Sequence, residues 1–268
     1  MSSYLFDVSS PDSEEIPMKI LIIATNDTPA KLRQAVAAGQ HPRIDYMELA
    51  SRLQTTYIDY NRVGSSRPMA WIERSFRMDF RLARQVNQIV ECEGYDCVLS
   101  LSERVGLPLA RTLNPRVRHV VIMHHPMSSM KLRMMQLMDA KRRWDKIIAI
   151  SHAEAEGLKE MLDLPDNKVT ALLTPVDTDF YDPAHVSFPL EEQDHIQSLG
   201  LSHRDYPTLI RAMRKLPDIP CYLRVGSTWV DHKAGHENEV LPPNIHLKPY
   251  IQPLELRESY ARSRFIVV

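Results

Sequence analysis

Glycine is scarce in this chain, 8 of 268 residues, about 3% where soluble domains carry roughly 7%. No G-x-G-x-x-G follows any apolar run and no G-x4-G-K-[S/T] occurs. That excludes the dinucleotide fingerprint of nicotinamide oxidoreductases and the P-loop of nucleotide hydrolases, because both need glycine backbone pressed against phosphate. Cysteine is scarce as well: Cys92, Cys97 and Cys221 are an odd number, and the C-x4-C of the first two has no second pair. Neither a disulfide framework nor a zinc site has its ligands, and no metal is expected; buried thiols in a reducing cytoplasm are the expectation. No charge of one sign dominates. The formal net charge is −1 and the pI about 6.8, so no global field draws nucleic acid, which is not expected as a partner. No apolar run reaches the length of a spanning helix. The first 17 residues, MSSYLFDVSSPDSEEIP, lack the cationic start and apolar stretch of a signal peptide and read as a disordered leader. The expectation is a cytoplasmic protein, at most peripheral to a membrane.

What is present is an apolar content of 44% over 268 residues, enough for a real core and two domains. MKILIIAT (18–25) is a near-continuous apolar run of the kind buried on both faces of a parallel sheet. Helical spacing in PRIDYMELASRL, a short strand at TTYIDY, a helical pattern over about 70–91 and a strand at YDCVLSL follow. VRHVVIMHH, a helical stretch to about 143, WDKIIAIS, EAEGLKEML and KVTALLTPVD continue the alternation. Strand and helix in strict turn predict an α/β fold with a mostly parallel sheet. At 176–194, VDTDFYDPAHVSFPLEEQD, aspartates and prolines break the pattern and predict a linker. The expected organisation is a leader over 1–17, a first Rossmann-like domain over 18–175, the linker, and a partial second domain over 195–268.

Within that second part, SLGLSHRDYPTLIRAM (198–213) reads as a strand end, a turn on Gly200, and a helix opened by Asp205 and Pro207. Helix mouths attract anions, since unpaired N–H groups and the helix dipole point at whatever sits there. Arg204 adds a guanidinium suited to phosphate.

At IIAISHAEAEGLKEMLDLPDNKVTALLTPVDTDFYDP (147–183) the chain resembles glycosyltransferase family 4, the group 1 glycosyltransferases. Thr174, Pro175, Val176 and Asp177 stand where that family turns into its linker, with Phe180 and Pro183 in the matching places. The resemblance continues through GSTWV and ELRESYARSRFIVV, covers about 145–268, and extends more diffusely over 18–144. It implies a GT-B architecture, two Rossmann-like domains of which the first holds the acceptor and the second a nucleotide-sugar donor. It also implies transfer of a hexose-type sugar with retention of configuration, to a saccharide or lipid-linked acceptor, without a metal or other cofactor. Protein cations must then neutralise the departing diphosphate. Two departures stand out. Gly200 is followed by Leu201 where the family places arginine, with no lysine before Lys215, and the family's paired glutamates are not in the sequence. A chain ending at Val268 is therefore expected to be catalytically crippled, and a non-catalytic or degenerate nucleotide-binding fragment is the alternative.

The resemblance nominates His124, with His125 as the alternative, for the reaction centre. Gly200, His203, Arg204, Ser227 and Tyr250 are nominated for the donor, and Asn26 and Ser102 for the acceptor. Ser102, with Ser100 and Glu103, also fits helix capping. Arg74, Arg77, Arg81 and Arg84 recur at helical spacing, as do Met127, Met130, Met134 and Met138 beside Lys131 and Arg133. Core packing and solvated faces account for such rows; docking of these segments onto an anionic membrane surface is the sharper expectation.

Overall fold

The computed structural model describes residues 18–124, 126–186, 192–200, 204–225, 240–249 and 251–268. They form two units. One takes Met1–Thr28 and Asp45–Pro175, the other Pro29–Ile44 and Val176–Val268. The segment between Pro29 and Ile44, which lies within the span expected for the first domain, groups with the second.

In the first unit the chain enters through β1 (Ile20–Ile23), departs for α1 (Ala30–Ala37), and returns through α2 (Asp45–Arg52) to β2 (Thr56–Ile58). Next come α3 (Arg67–Phe76), α4 (Phe80–Glu93), β3 (Cys97–Ser100), α5 (Glu103–Thr112), β4 (Arg118–Met123), α6 (Ser129–Leu137) and α7 (Ala140–Arg143). The unit closes with β5 (Lys146–Ala149), α8 (His152–Leu162) and β6 (Val169–Ala171). The six strands make one parallel sheet in the order β2-β1-β3-β4-β5-β6. Leu21, Ile22 and Ile23 are all 0% exposed, because both faces of β1 are covered. Each such side chain contributes about 1.5–3 kcal/mol of burial.

Two helices escaped the sequence reading, α1 and α5. Helix α5 carries Pro108 in its interior yet lies almost wholly buried. It packs so closely that a Cβ at Gly106 would stand 2.6 Å from Val121 Cγ2 on β4. The helical pattern over 70–91 resolves into two helices. Arg77 caps α3 in the left-handed region, at φ 52°, and Met78 and Asp79 turn the corner as buried residues. The arginine row is therefore split between α3 and α4. Arg81 Nη2 lies 2.7 Å from Oε2 of the buried Glu73, so that cation is already neutralised. On α6, Leu132 and Met135 enter the core, whereas Met130, and Met127 just before the helix, are exposed. Cys97 and Cys221 are buried, but Cys92 is exposed, contrary to the expectation for all three thiols.

The second unit contains β7 (His195–Leu199), α9 (Tyr206–Met213), β8 (Cys221–Arg224), β9 (Ile245–Leu247), α10 (Pro253–Arg262) and β10 (Ser263–Val267). Its parallel sheet has the order β10-β7-β8-β9. One face carries an apolar cluster of Tyr206, Ile210, Met213, Cys221, Leu223 and Ile245. The span expected to be a linker contains an anchor. Phe180 is buried, Arg257 of α10 stacks on its ring at 4.9 Å, and Arg257 Nη1 donates to its carbonyl at 3.0 Å.

Candidate active site

In open parallel sheets, ligands sit beyond the carboxyl ends of the strands, where the strand order reverses. In the first unit that point lies between β1 and β3. Asn26 is exposed in the segment leaving β1. Ser102, leaving β3, is buried and accepts the Arg104 N–H at 3.1 Å as the N-cap of α5. The cap is satisfied by that hydroxyl, as its position in the sequence suggested.

Next to Ser102, Glu103 is 2% exposed. Its Oε1 is paired with the ammonium of Lys131 from α6, and its Oε2 accepts the backbone N–H of His124 at 3.1 Å. Burial by itself would push this carboxyl up, but Lys131 and the His124 N–H outweigh it and hold it below the usual carboxylate range. His124 stands immediately after β4, exposed, with Nε2 3.0 Å from the Leu101 carbonyl oxygen. A carbonyl only accepts, so Nε2 carries the hydrogen, and in the tautomer with a single ring hydrogen Nδ1 presents a lone pair. Sequence reasoning found His124 and treated Glu103 as a capping neighbour. It read Lys131 only as part of a basic helical face and missed its pairing with Glu103 across 28 positions, which no local pattern announces.

Strand β4 itself holds another histidine of a different character. His119 is 1% exposed, with Nε2 2.9 Å from Ser100 Oγ, and it lines a cavity of about 110 Å³ together with Arg142, Arg143 and Asp145. Burial, reinforced by the Arg143 charge, pushes its imidazole down to about 3. It is neutral and set in the framework at the opposite end of β4.

In the second unit the strand order reverses between β7 and β10, and Gly200 leaves β7 there with φ +100°. Arg204 folds back over this turn. Its Nε donates to the Leu199 carbonyl at 3.1 Å, and a Cβ at residue 200 would stand 3.3 Å from that nitrogen. Tyr206 Oη donates to the Gly200 carbonyl at 2.5 Å, so the turn is held from both sides. Asp205 caps α9 by accepting the Thr208 N–H at 3.1 Å. The protein's own carboxylate therefore occupies part of the helix mouth, where the charge of Arg211 bears on it, while Arg204 turns back to the end of β7. Arg224, at the end of β8 and unread in the sequence, donates to Gln197 Oε1 at 3.2 Å and to the Pro249 carbonyl at 2.9 Å. Burial pushes its guanidinium down from the usual range. His125, His203, Ser227 and Tyr250 lie outside the described residues. Among the described residues, no group of three or more His, Cys, Asp or Glu could hold a metal ion, and no helix is long and apolar enough to cross a membrane.

The two parallel sheets agree with a sequence match: the profile of Glycosyltransferase Family 4 covers residues 30–180. The chain belongs to glycosyltransferase family 4. The matched span holds Glu103, His124, Lys131, Asp177 and Phe180, while Gly200 and Arg204 lie beyond it. Solved structures share the GT-B fold. A glycosyltransferase from Rickettsia africae aligns over 94% of this chain and 72% of its own, at 13% identity and a TM-score of 0.56. The Anabaena protein HepE, solved with UDP-glucose, aligns over 93% of this chain and 73% of its own at 12% identity, with a TM-score of 0.56. An alpha-glucosyltransferase solved with UDP and a 13-mer DNA aligns over 93% and 71% at 14% identity, with a TM-score of 0.53. At such identities the likeness is one of fold. No curated protein sequence matches the chain.

Proposed function

We propose that this family 4 member transfers a hexose-type sugar from a nucleotide-diphosphate-sugar to a saccharide or lipid-linked acceptor, with retention of configuration and without a metal. The observation that carries the reading is Arg204. A guanidinium held against the end of β7 by the Leu199 carbonyl, over a glycine with φ +100°, is a preset cation at the edge where such sheets bind phosphates. Its Nε is committed to the backbone, which leaves the terminal nitrogens of the fork to meet a diphosphate oxygen. His124 is the sugar contact in this reading, because a neutral imidazole can hydrogen-bond a hydroxyl. The nucleotides bound in the Anabaena protein and the alpha-glucosyltransferase support a nucleotide donor of this kind.

Calorimetry with UDP and GDP on the wild type and Arg204→Ala tests the reading. Loss of a charge-assisted contact worth about 1.5–3 kcal/mol weakens binding roughly tenfold or more. Equal affinities in the two proteins would remove Arg204 from the site. Binding unaffected by a chelator is the accompanying expectation for a metal-free diphosphate site, and a chelator-sensitive affinity would count against it.

A further inference from the structure

We propose that the buried Glu103–Lys131 pair is a positioning device that holds the His124 imidazole in one tautomer and orientation, with Nδ1 presented as the acceptor of a sugar hydroxyl. The inference rests on the reading of His124 as a sugar contact and adds to it the atom that makes the contact and the residues that aim it.

Three observations converge. The Glu103 carboxylate, 2% exposed, binds both sides of the segment that follows β4: Oε2 takes the His124 N–H at 3.1 Å, and Oε1 pairs with Lys131 in the first turn of α6. One carboxylate thus fastens the beginning of that segment and the helix that ends it. The Leu101 carbonyl takes the Nε2 hydrogen at 3.0 Å. Leu101, Ser102 and Glu103 are consecutive, and Ser102 is locked as the N-cap of α5, so both anchors of His124 belong to one rigid turn. A buried carboxylate stripped of its cation is strongly unfavourable, so Lys131 keeps the charged carboxylate in place as the acceptor of the His124 N–H. The ring is therefore held from its backbone and from its far nitrogen. Were the hydrogen on Nδ1 instead, Nε2 and the Leu101 carbonyl would be two acceptors face to face. Nδ1 remains as the acceptor, the role that a hydroxyl donor needs and that a fixed ring can fill without paying orientational entropy.

A pair that merely filled the core would affect stability alone, so the test reads tautomer and sugar recognition. Side-chain ¹⁵N spectra of the full chain are expected to show His124 as a single form protonated at Nε2. In Glu103→Met/Lys131→Met, which removes both partners and leaves no orphaned charge, the signal should move toward the average of two tautomers. The same variant should lose about three- to tenfold of the preference for UDP-glucose over UDP, or for GDP-mannose over GDP, as should His124→Ala. Lys131→Met serves as the single-site check. Retention of the single tautomer and of the sugar preference in the double variant would overturn the positioning role. An unchanged preference in His124→Ala, or no binding of any of the four nucleotides, would instead overturn the reading of His124 as a sugar contact, and the spectra would still decide whether the pair aims the ring.

Discussion

Arg43 Nη2 lies 2.6 Å from Asp177 Oδ1, although the two residues are 134 positions apart in the chain. The same carboxylate accepts the Arg43 N–H at 2.7 Å and the Phe180 N–H at 3.2 Å. Asp177 is the residue that closes the family-like turn at 174–177, and it ties the 29–44 segment to the start of the 176–268 segment. Hydrogen bonds from Arg43 hold its carboxyl well below the usual carboxylate range.

Arg43→Ala is expected to destabilise the second unit by about 1–2 kcal/mol, a charge-assisted contact discounted for the partial exposure of the guanidinium. Because the Asp177 pKa is depressed in the folded state, the contribution is present above the unfolded value and is lost as pH falls below about 4. Urea unfolding at pH 7 and pH 3 should show the wild-type advantage at the first and a smaller one at the second. Equal midpoints at pH 7 would mean that the pair contributes nothing.

His119 sets a pH dependence of its own. Its folded pKa is about 3, below the unfolded value of about 6.5, so between these limits the unfolded chain binds a proton that the folded chain does not. Stability is complete above about pH 6.5 and declines as pH falls toward 3. Replacing the ring by His119→Asn should flatten the fall in Tm between pH 7 and pH 4, whatever its effect on the absolute Tm. Parallel curves for the two proteins would show that His119 is not the group responsible.

Gly200→Ala acts twice on the Arg204 turn. A side chain at φ +100° is strained, and its Cβ would stand 3.3 Å from Arg204 Nε, close enough to displace the guanidinium. Stability should drop by roughly 1 kcal/mol or more, and affinity for a nucleotide diphosphate should fall with it. A variant that loses stability but keeps its affinity would separate the turn from the proposed site.

Much of the architecture is legible in the residues because it depends on local pattern. The apolar run at 18–25, the strand end and helix of SLGLSHRDYPTLIRAM and the capping serine and aspartate at 102 and 205 all reappear as elements or caps. Helix α5 was missed because glycine and proline inside it oppose helix propensity, and only packing on β4, which needs Gly106 to have no side chain, overrides that preference. The arginine row misled for the converse reason: its spacing is helical, but burial of Met78 and Asp79 breaks the helix between Arg77 and Arg81.

By itself the sequence determined the alternation of strands and helices, the absence of glycine-rich phosphate loops, and the helix mouth at Gly200 and Arg204, since each follows from residue type and spacing over a few positions; His124 came from the resemblance to the family. Tertiary structure alone decided that Glu103 and Lys131 meet next to His124, that Arg43 reaches Asp177, and that His119 in β4 is buried neutral while His124, just past the strand's carboxyl end, is exposed. Contacts between distant segments, and the desolvation that accompanies them, come into being only when the sheets assemble.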